Sequence, residues 1–192
     1  MGRVVVTEFI SLDGVIEDPG GAEGYAHGGW AFEIGDEGGS FKFDELKASD
    51  AQLLGRVTYE GFAKAWPTME GTGAFGEKMN AMPKFVVSKT LENPEWNNTT
   101  VLKGDLAEEV GMLKQQFEGD ILVAGSAQLV QGLLERDLVD EVRLMVFPVV
   151  LGSGKRLFAD SPEKKPLRLV ESKPGGAGVT ILTYEPAQDG AA

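Results

Sequence analysis

Cysteine is absent from all 192 residues. That removes disulfides, thiolate nucleophiles, cysteine-ligated zinc and iron–sulfur clusters together, and it fits a reducing compartment. Histidine is nearly absent as well. His27 stands alone without a partner at metal-ligand spacing, and a serine–histidine pair built on it would lack a G-x-S-x-G element to hold the nucleophile. Positive charge is scarce: 18 basic against 30 acidic residues leave a formal charge of −12. The mean field of such a surface repels a phosphate backbone, so nucleic acid is not an expected partner. No apolar run reaches bilayer-spanning length, so no membrane partner is expected, and Val4-Val5-Val6 is interrupted by Thr7 and Glu8 too soon for a signal peptide. A cytoplasmic location is therefore expected, in which the sequons at Asn97 and Asn98 stay unglycosylated.

Two familiar nucleotide motifs are also missing. A G-x-G-x-x-G fingerprint would have to follow the first strand, but Leu12-Asp13-Gly14-Val15-Ile16 supplies one glycine. Gly152-Ser153-Gly154-Lys155 has the outline of a P-loop, yet Val149 occupies the position of its first glycine and Arg156 that of its Ser or Thr. A turn between strands is the expected role of that segment.

What the chain does contain is an alternation of strands and helices over its first two thirds, then consecutive strands. Arg3 to Ser11 reads as a buried first strand, Phe41–Ala48 as a short helix, Gln52–Leu54 as a strand and Tyr59–Ala65 as a helix closed by Pro67. Residues 68–83 read as loop with one or two helical turns. Lys84–Val87 and Thr99–Leu102 follow as strands, and Asp105 with Glu108 resembles a capping box opening a helix on Leu106, Val110, Leu113 and Phe117. Ile121–Ala124 has no polar alternation, as expected of a strand covered on both faces, and the next helix carries Ala127, Val130, Leu133 and Leu134 on one side. Val142–Val150 reads as a strand; Arg168–Ser172 and Val179–Glu185 read as a terminal hairpin around Pro174-Gly175-Gly176. One α/β domain over residues 1–185 with a mixed sheet is expected, followed by a disordered tail at 186–192.

The most informative feature occurs twice. Leu53-Leu54-Gly55-Arg56-Val57-Thr58 and Val123-Ala124-Gly125-Ser126-Ala127-Gln128-Leu129 are each an apolar run that ends in glycine and turns directly into a helix. A helix start carries unpaired N–H groups and the positive end of the dipole, and glycine lets an anion approach the main chain. Two such junctions suggest a dinucleotide, although glycine also serves tight strand-to-helix turns that bind nothing. Arg56 at one junction and Ser88-Lys89-Thr90 after the next strand are informative against so acidic a background. Between Pro19 and Ser40 a glycine-dense stretch interleaves Tyr25, Trp30 and Phe32, which reads either as an aromatic flap over a ligand or as an irregular loop pinned by Trp30.

In this order and spacing, Ser11-Leu12-Asp13-Gly14-Val15-Ile16, Leu54-Gly55-Arg56-Val57-Thr58-Tyr59-Glu60, Val86-Val87-Ser88-Lys89-Thr90, Ala124-Gly125-Ser126-Ala127-Gln128-Leu129 and Asp140 to Gly152 resemble the dihydrofolate reductase-like superfamily. The group resembled includes the reductase domain of bacterial riboflavin biosynthesis. The resemblance implies a three-layer fold with a mixed, mostly parallel sheet of about eight strands and a C-terminal antiparallel hairpin. It implies NADPH as cofactor, hydride transfer to a small heterocyclic substrate, and a homodimer. Carried over, Gly55, Arg56, Val57 and Thr58 meet the adenosine side and diphosphate, and Ser88, Lys89 and Thr90 the 2′-phosphate. Gly125, Ser126, Ala127, Gln128 and Leu129 cradle the diphosphate, Phe9 and Ile16 border the nicotinamide, and Thr7 and Trp30 face the substrate.

Two departures bear on the reaction. Folate reductases place a carboxylate on the helix after the flap and a hydroxyl on a later strand. Here the later position corresponds to Met145, and the helix offers Asp44 and Glu45 as candidates. No clear second phosphate clamp for a ribose phosphate is legible. A non-catalytic nucleotide-binding or dimeric scaffold on the same fold is the alternative reading.

Overall fold

A computed structural model describes residues 1–34, 39–158, 160 and 163–187. In chain order its elements are β1 (Arg3–Ser11), α1 (Trp30–Ile34), α2 (Gly39–Ala48), β2 (Ser49–Gly55), α3 (Arg56–Ala65), α4 (Gly73–Ala81), β3 (Lys84–Val87), β4 (Thr99–Leu102), α5 (Leu106–Gln116), β5 (Asp120–Ala124), α6 (Ala127–Glu135), β6 (Glu141–Phe147), β7 (Leu167–Gly176) and β8 (Val179–Pro186). The strands form one 8-stranded sheet in the order β4-β3-β2-β5-β1-β6-β8-β7. The first six pair in parallel, and the β6–β8 and β7–β8 pairs are antiparallel. This is the mixed α/β sheet with a terminal hairpin that the strand and helix pattern predicts.

Helices cover both faces, which is why β1 and β5 are apolar without alternation. Val4, Val6 and Ile10 of β1 pack with Val110 and Leu113 of α5 and with Leu129, Val130 and Leu133 of α6. Val5 points the other way, into a core with Leu46 of α2, Tyr59 of α3 and Met79 of α4. Phe9 belongs to a third cluster with Trp30, Met145 and Phe147. Each fully buried Val or Leu contributes about 1.5–3 kcal/mol.

Several boundaries differ from expectation for identifiable reasons. Helix α3 begins at Arg56 rather than Tyr59, so Arg56, Val57 and Thr58 form its first turn directly on Gly55. Strand β6 stops at Phe147, because Pro148 cannot donate to a ladder. The hairpin turn is Ala177-Gly178, both at positive φ (49° and 82°), while Pro174 sits inside the edge strand β7 next to a register shift. Asp105 caps α5 by accepting from Ala107 and Glu108 N–H, but the reciprocal contact to the preceding chain comes from Glu109 to Gly104 N–H, not from Glu108. Strand β8 takes in Pro186; of the expected tail, residues 188–192 lie outside the described residues.

Lys84 fastens the amino end of β3, the strand from whose carboxyl end Ser88 and Lys89 emerge. It is fully buried at the start of β3. Its ammonium donates to the carbonyls of Asn80 (3.0 Å), Met82 (2.8 Å) and Asn97 (3.1 Å) and lies 4.2 Å from the Trp96 ring centroid. Burial pushes its pKa down to about 8. Lys84→Met leaves buried carbonyl groups without a donor and should destabilise the protein by about 2–3 kcal/mol, read as a lower urea midpoint; an unchanged midpoint contradicts this role.

Candidate active site

Because β3, β2, β5, β1 and β6 run parallel, their carboxyl ends share one edge of the sheet, where ligands of open α/β proteins collect. The two glycine junctions meet there. The Ser126 hydroxyl accepts from Gly55 N–H (2.9 Å) and donates to Thr58 Oγ1 (2.8 Å). A Cβ on Gly55 would lie 3.0 Å from Ser126 Oγ, and one on Gly125 3.0 Å from Thr58 Oγ1, so a side chain at either glycine would crowd the facing hydroxyl. Gly125 and Ser126 both adopt positive φ, 61° and 63°. Such backbone in a non-glycine residue costs about 1–3 kcal/mol and is typical of functional turns. Neither α3 nor α6 has a side-chain cap or an acidic residue in its first turn, so their leading N–H groups remain available to an anion.

Around this junction, Arg56 is exposed and paired with Glu60 at 2.9 and 3.0 Å, and Val57 is exposed. Ala127 is half-buried, Gln128 exposed and Leu129 buried in the core beneath α6. Ser88 Oγ accepts from Thr90 N–H (3.2 Å) and Leu91 N–H (3.0 Å). Lys89 and Thr90 are exposed, and Lys89 has no carboxylate partner among the described residues.

The β1 end of the edge is held by Asp13. Its Oδ1 accepts from Ser11 Oγ (2.7 Å) and Leu151 N–H (3.1 Å), its Oδ2 from Gly152 N–H (2.9 Å). Together with Ile16 N–H donating to Lys155 O (2.9 Å), this ties the turn after β1 to residues 151–155 and buries Ile16. The segment around Gly152 is thus a partner of that turn.

The substrate candidates Thr7 and Trp30 are both buried. Trp30 donates Nε1–H to Glu17 O (2.9 Å) and packs edge-on against Phe147, with centroids 5.3 Å apart. Its rim borders a recess of about 370 Å³ with His27, Glu33 and Val149 to Leu151. The glycine-rich stretch is organised around buried Asp18, which accepts from Glu23 and Tyr25 N–H, and Tyr25 OH donates to Ser153 O (2.7 Å). Of the two readings of this stretch, its described part fits the loop pinned by Trp30; residues 35–38 lie outside the described residues.

Thr7 enters a polar cluster with α2. Its hydroxyl donates to Glu45 Oε2 (2.8 Å); Lys42 Nζ donates to Thr7 Oγ1 and to Glu45 Oε2 (3.1 Å) and lies over Phe9, 5.2 Å from the centroid. Arg143 of β6 reaches Glu45 Oε1 (3.2 Å) and Asp120 Oδ2 (2.8 Å) and also pairs with Glu141. Burial works against its guanidinium, but the bond to Asp120 and the fields of Glu141 and Glu45 outweigh it and raise the pKa. The two carboxylate candidates therefore separate: Glu45 is buried beside Thr7, whereas Asp44, the residue before it on α2, is exposed. Met145, opposite Phe9 in the ladder, is buried.

Three members of the site were not singled out from sequence: Lys42, Arg143 and Glu8. Glu8 carried the clearest signal, a charged residue inside a strand buried on both faces. Its carboxyl is buried, one oxygen has no hydrogen-bond partner, and burial pushes its pKa up to about 8. The charge of Lys42 and a hydrogen bond from Gly125 N–H oppose that rise, and Glu45 adds to it.

Residues 3–181 match the family model described as the RibD C-terminal domain. The chain belongs to this family. It is 30% identical over 185 residues to the uncharacterized protein YyaP of Bacillus subtilis (strain 168), covering 95% of this chain and 94% of the relative. In structure it is similar to a putative riboflavin biosynthesis protein from Shewanella sp. PV-4, with a TM-score of 0.76 at 21% identity over 97% of this chain and 99% of the other. It is also similar to dihydrofolate reductase from Enterococcus faecalis complexed with NADP(H), with a TM-score of 0.61 at 16% identity over 97% of each chain. The dihydrofolate reductase-like fold expected from the motif order is the fold of this RibD C-terminal-like domain. Among the described residues no helix is long and apolar enough to cross a membrane.

Hydrogen bonding holds the Asp13 carboxyl down at about 2, chiefly through Ser11 and Leu151. A carboxyl whose folded pKa lies below its unfolded value stabilises the fold above the unfolded pKa and loses that contribution as pH falls. The urea midpoint of the wild type should therefore drop more steeply than that of Asp13→Asn between about pH 4 and about pH 2. Parallel curves for the two proteins contradict the clamp.

Proposed function

We propose that this RibD C-terminal-like domain is an NADPH-dependent reductase that delivers hydride to a small heterocyclic substrate. The observation that carries this reading is the meeting of two uncapped helix starts at Ser126, with the unpaired cation Lys89 on the same edge of the sheet. The orphan N–H groups of α3 and α6 suit a diphosphate, and Lys89 with the Ser88 and Thr90 hydroxyls suits an additional phosphate on the adenosine side. In this reading Gly55, Arg56, Val57 and Thr58 hold the adenosine half, and Gly125 to Leu129 hold the diphosphate. Phe9 and Ile16 border the nicotinamide, which when bound supplies the hydride.

The chain's own task is positioning and exclusion of water. Thr7, Lys42 and Glu45 present a hydroxyl, an ammonium and a carboxylate beside Phe9, a set able to orient the polar edge of a heterocycle. Arg143 fixes Glu45 from behind. Arg56 is engaged by Glu60, so a phosphate gains less from it than from Lys89.

Fluorescence titration with NADPH tests the cofactor, and oxidation of NADPH against pterin, pyrimidine and quinone panels tests turnover; binding without turnover on any panel supports the scaffold alternative. Lys89→Ala should weaken NADPH by about 1.5–3 kcal/mol, roughly ten- to hundred-fold, while leaving NADH nearly unchanged. Equal losses for both cofactors contradict the assignment of Lys89. A homodimer belongs to the same proposal, and the exposed Leu169 and Val170 on edge strand β7 are apolar surface that it would cover; solution scattering measures the state.

A further inference from the structure

Thr7 and Glu8 are neighbours in sequence on opposite faces of β1. Thr7 faces α2, whereas Glu8 shares the side of Val6 and Ile10 and turns its carboxyl to Gly125, at the start of α6. With Thr7 opposite Ala124 in the ladder, Glu8 lies beside Gly125, and a carboxylate there feels the main-chain N–H of the glycine junction as a bound anion would. Yet it is a poor cap. One of its oxygens has no partner, and the residue is only 4% exposed, so an ionised Glu8 is a buried negative charge with hydrogen-bonding capacity unused.

The groups around it do not neutralise that charge by contact. From β6 its register partner is the apolar Leu144. From β5 and the start of α6 it meets the Gly125 N–H. From α2 come two opposing fields, Lys42 attracting and Glu45 repelling. Lys42 is itself committed to Glu45 and Thr7.

We propose that Glu8 is the anion gate of the cofactor groove: a phosphate anion binds at the Gly125–Ser126 junction when Glu8 is protonated, and ionised Glu8 excludes it. This rests on the cofactor reading above. Binding to the ionised form is then accompanied by uptake of one proton from the solvent onto a Glu8 carboxyl oxygen. The neutral carboxyl leaves the dipole of α6 to the ligand and has an O–H to donate, through the oxygen that now has no partner.

With the carboxyl of the free protein titrating at about 8, affinity for NADPH should fall about tenfold between pH 7 and pH 9. Calorimetry at about pH 8.5 in buffers of different ionisation enthalpy should show uptake of about three-quarters of a proton per NADPH bound. Glu8→Gln, neutral at every pH, should bind NADPH equally at both values, tighter than wild type at pH 9, and without proton uptake. Inorganic pyrophosphate as the probe should show the same proton uptake in the wild type, which ties the effect to the diphosphate end.

Tight NADPH binding with no pH dependence and no proton uptake in the wild type overturns the gate and leaves the cofactor assignment standing. A pH dependence that persists unchanged in Glu8→Gln also overturns it. No binding of NADPH at any pH overturns both readings. If Glu8→Gln fails to fold, the wild-type proton count alone decides.

Discussion

The fifth strand in sequence lies between the first two in space, and that insertion is the constraint on which the site depends. After β1 the chain builds β2, β3 and β4 outward, returns through α5, places β5 between β1 and β2, and then sets β6 on the far side of β1. Parallel pairing then brings the carboxyl end of β5 alongside those of both neighbours. On one side the Gly125–Ser126 turn meets Gly55 and Thr58; on the other it meets Glu8. Ser126 adopts left-handed backbone to place its hydroxyl between Gly55 N–H and Thr58, and two hydrogen bonds offset a cost of about 1–3 kcal/mol.

The sheet also divides the chemistry. On the α2 face, Glu45, Asp120 and Glu141 are matched by Lys42, Arg143 and Arg3 in one connected set of ion pairs that runs from Thr7 to the start of β1. Each of the three carboxylates has two basic partners, so loss of one base leaves every acid still paired, whereas loss of Glu45 would leave Lys42 without a carboxylate. On the α6 face Glu8 has no such partner. Burial pushes the Glu8 carboxyl up to about 8, so negative charge arriving beside it favours uptake of a proton. Two residues one position apart along β1 thus lie in opposite electrostatic settings, Thr7 within the ion-pair network and Glu8 outside it.

Local chemistry in the sequence was sufficient for most of the architecture. Continuous apolar runs marked β1 and β5 because both of their faces are covered, Asp105 marked the start of α5, and Pro67 lies just past the end of α3. The glycine junctions were legible as helix starts, but their meeting was not, because it is set by strand order rather than by any local pattern. The same holds for Glu45 against Asp44: adjacent residues on one helix differ by about 100° in direction, so an uncertain register across the glycine-rich loop leaves the choice open until the helix is placed. Lys42 and Arg143 were hidden for another reason. Each is an ordinary basic residue locally, and only burial against acids from other elements distinguishes it. The hairpin was displaced by two residues because Pro174 and Gly175 mark a bulged edge strand as readily as a turn.

The absence of caps is informative only in combination. α4 also starts without a side-chain cap, at Thr72, but its first residues are exposed, so water satisfies them. α5 starts with Asp105 and has Glu108 and Glu109 in its first turn. In a chain with 30 acidic residues, the first turns of α3 and α6 contain none, and both open on the edge shared by five parallel strands. A cap at either position would stabilise the fold by about 1 kcal/mol and would fill the place of an anion. Both starts are left uncapped and held together through one serine hydroxyl, so the fold forgoes that stability at the two places where the proposed diphosphate would sit. The buried carboxyl of Glu8 lies beside them, on the strand next to β5.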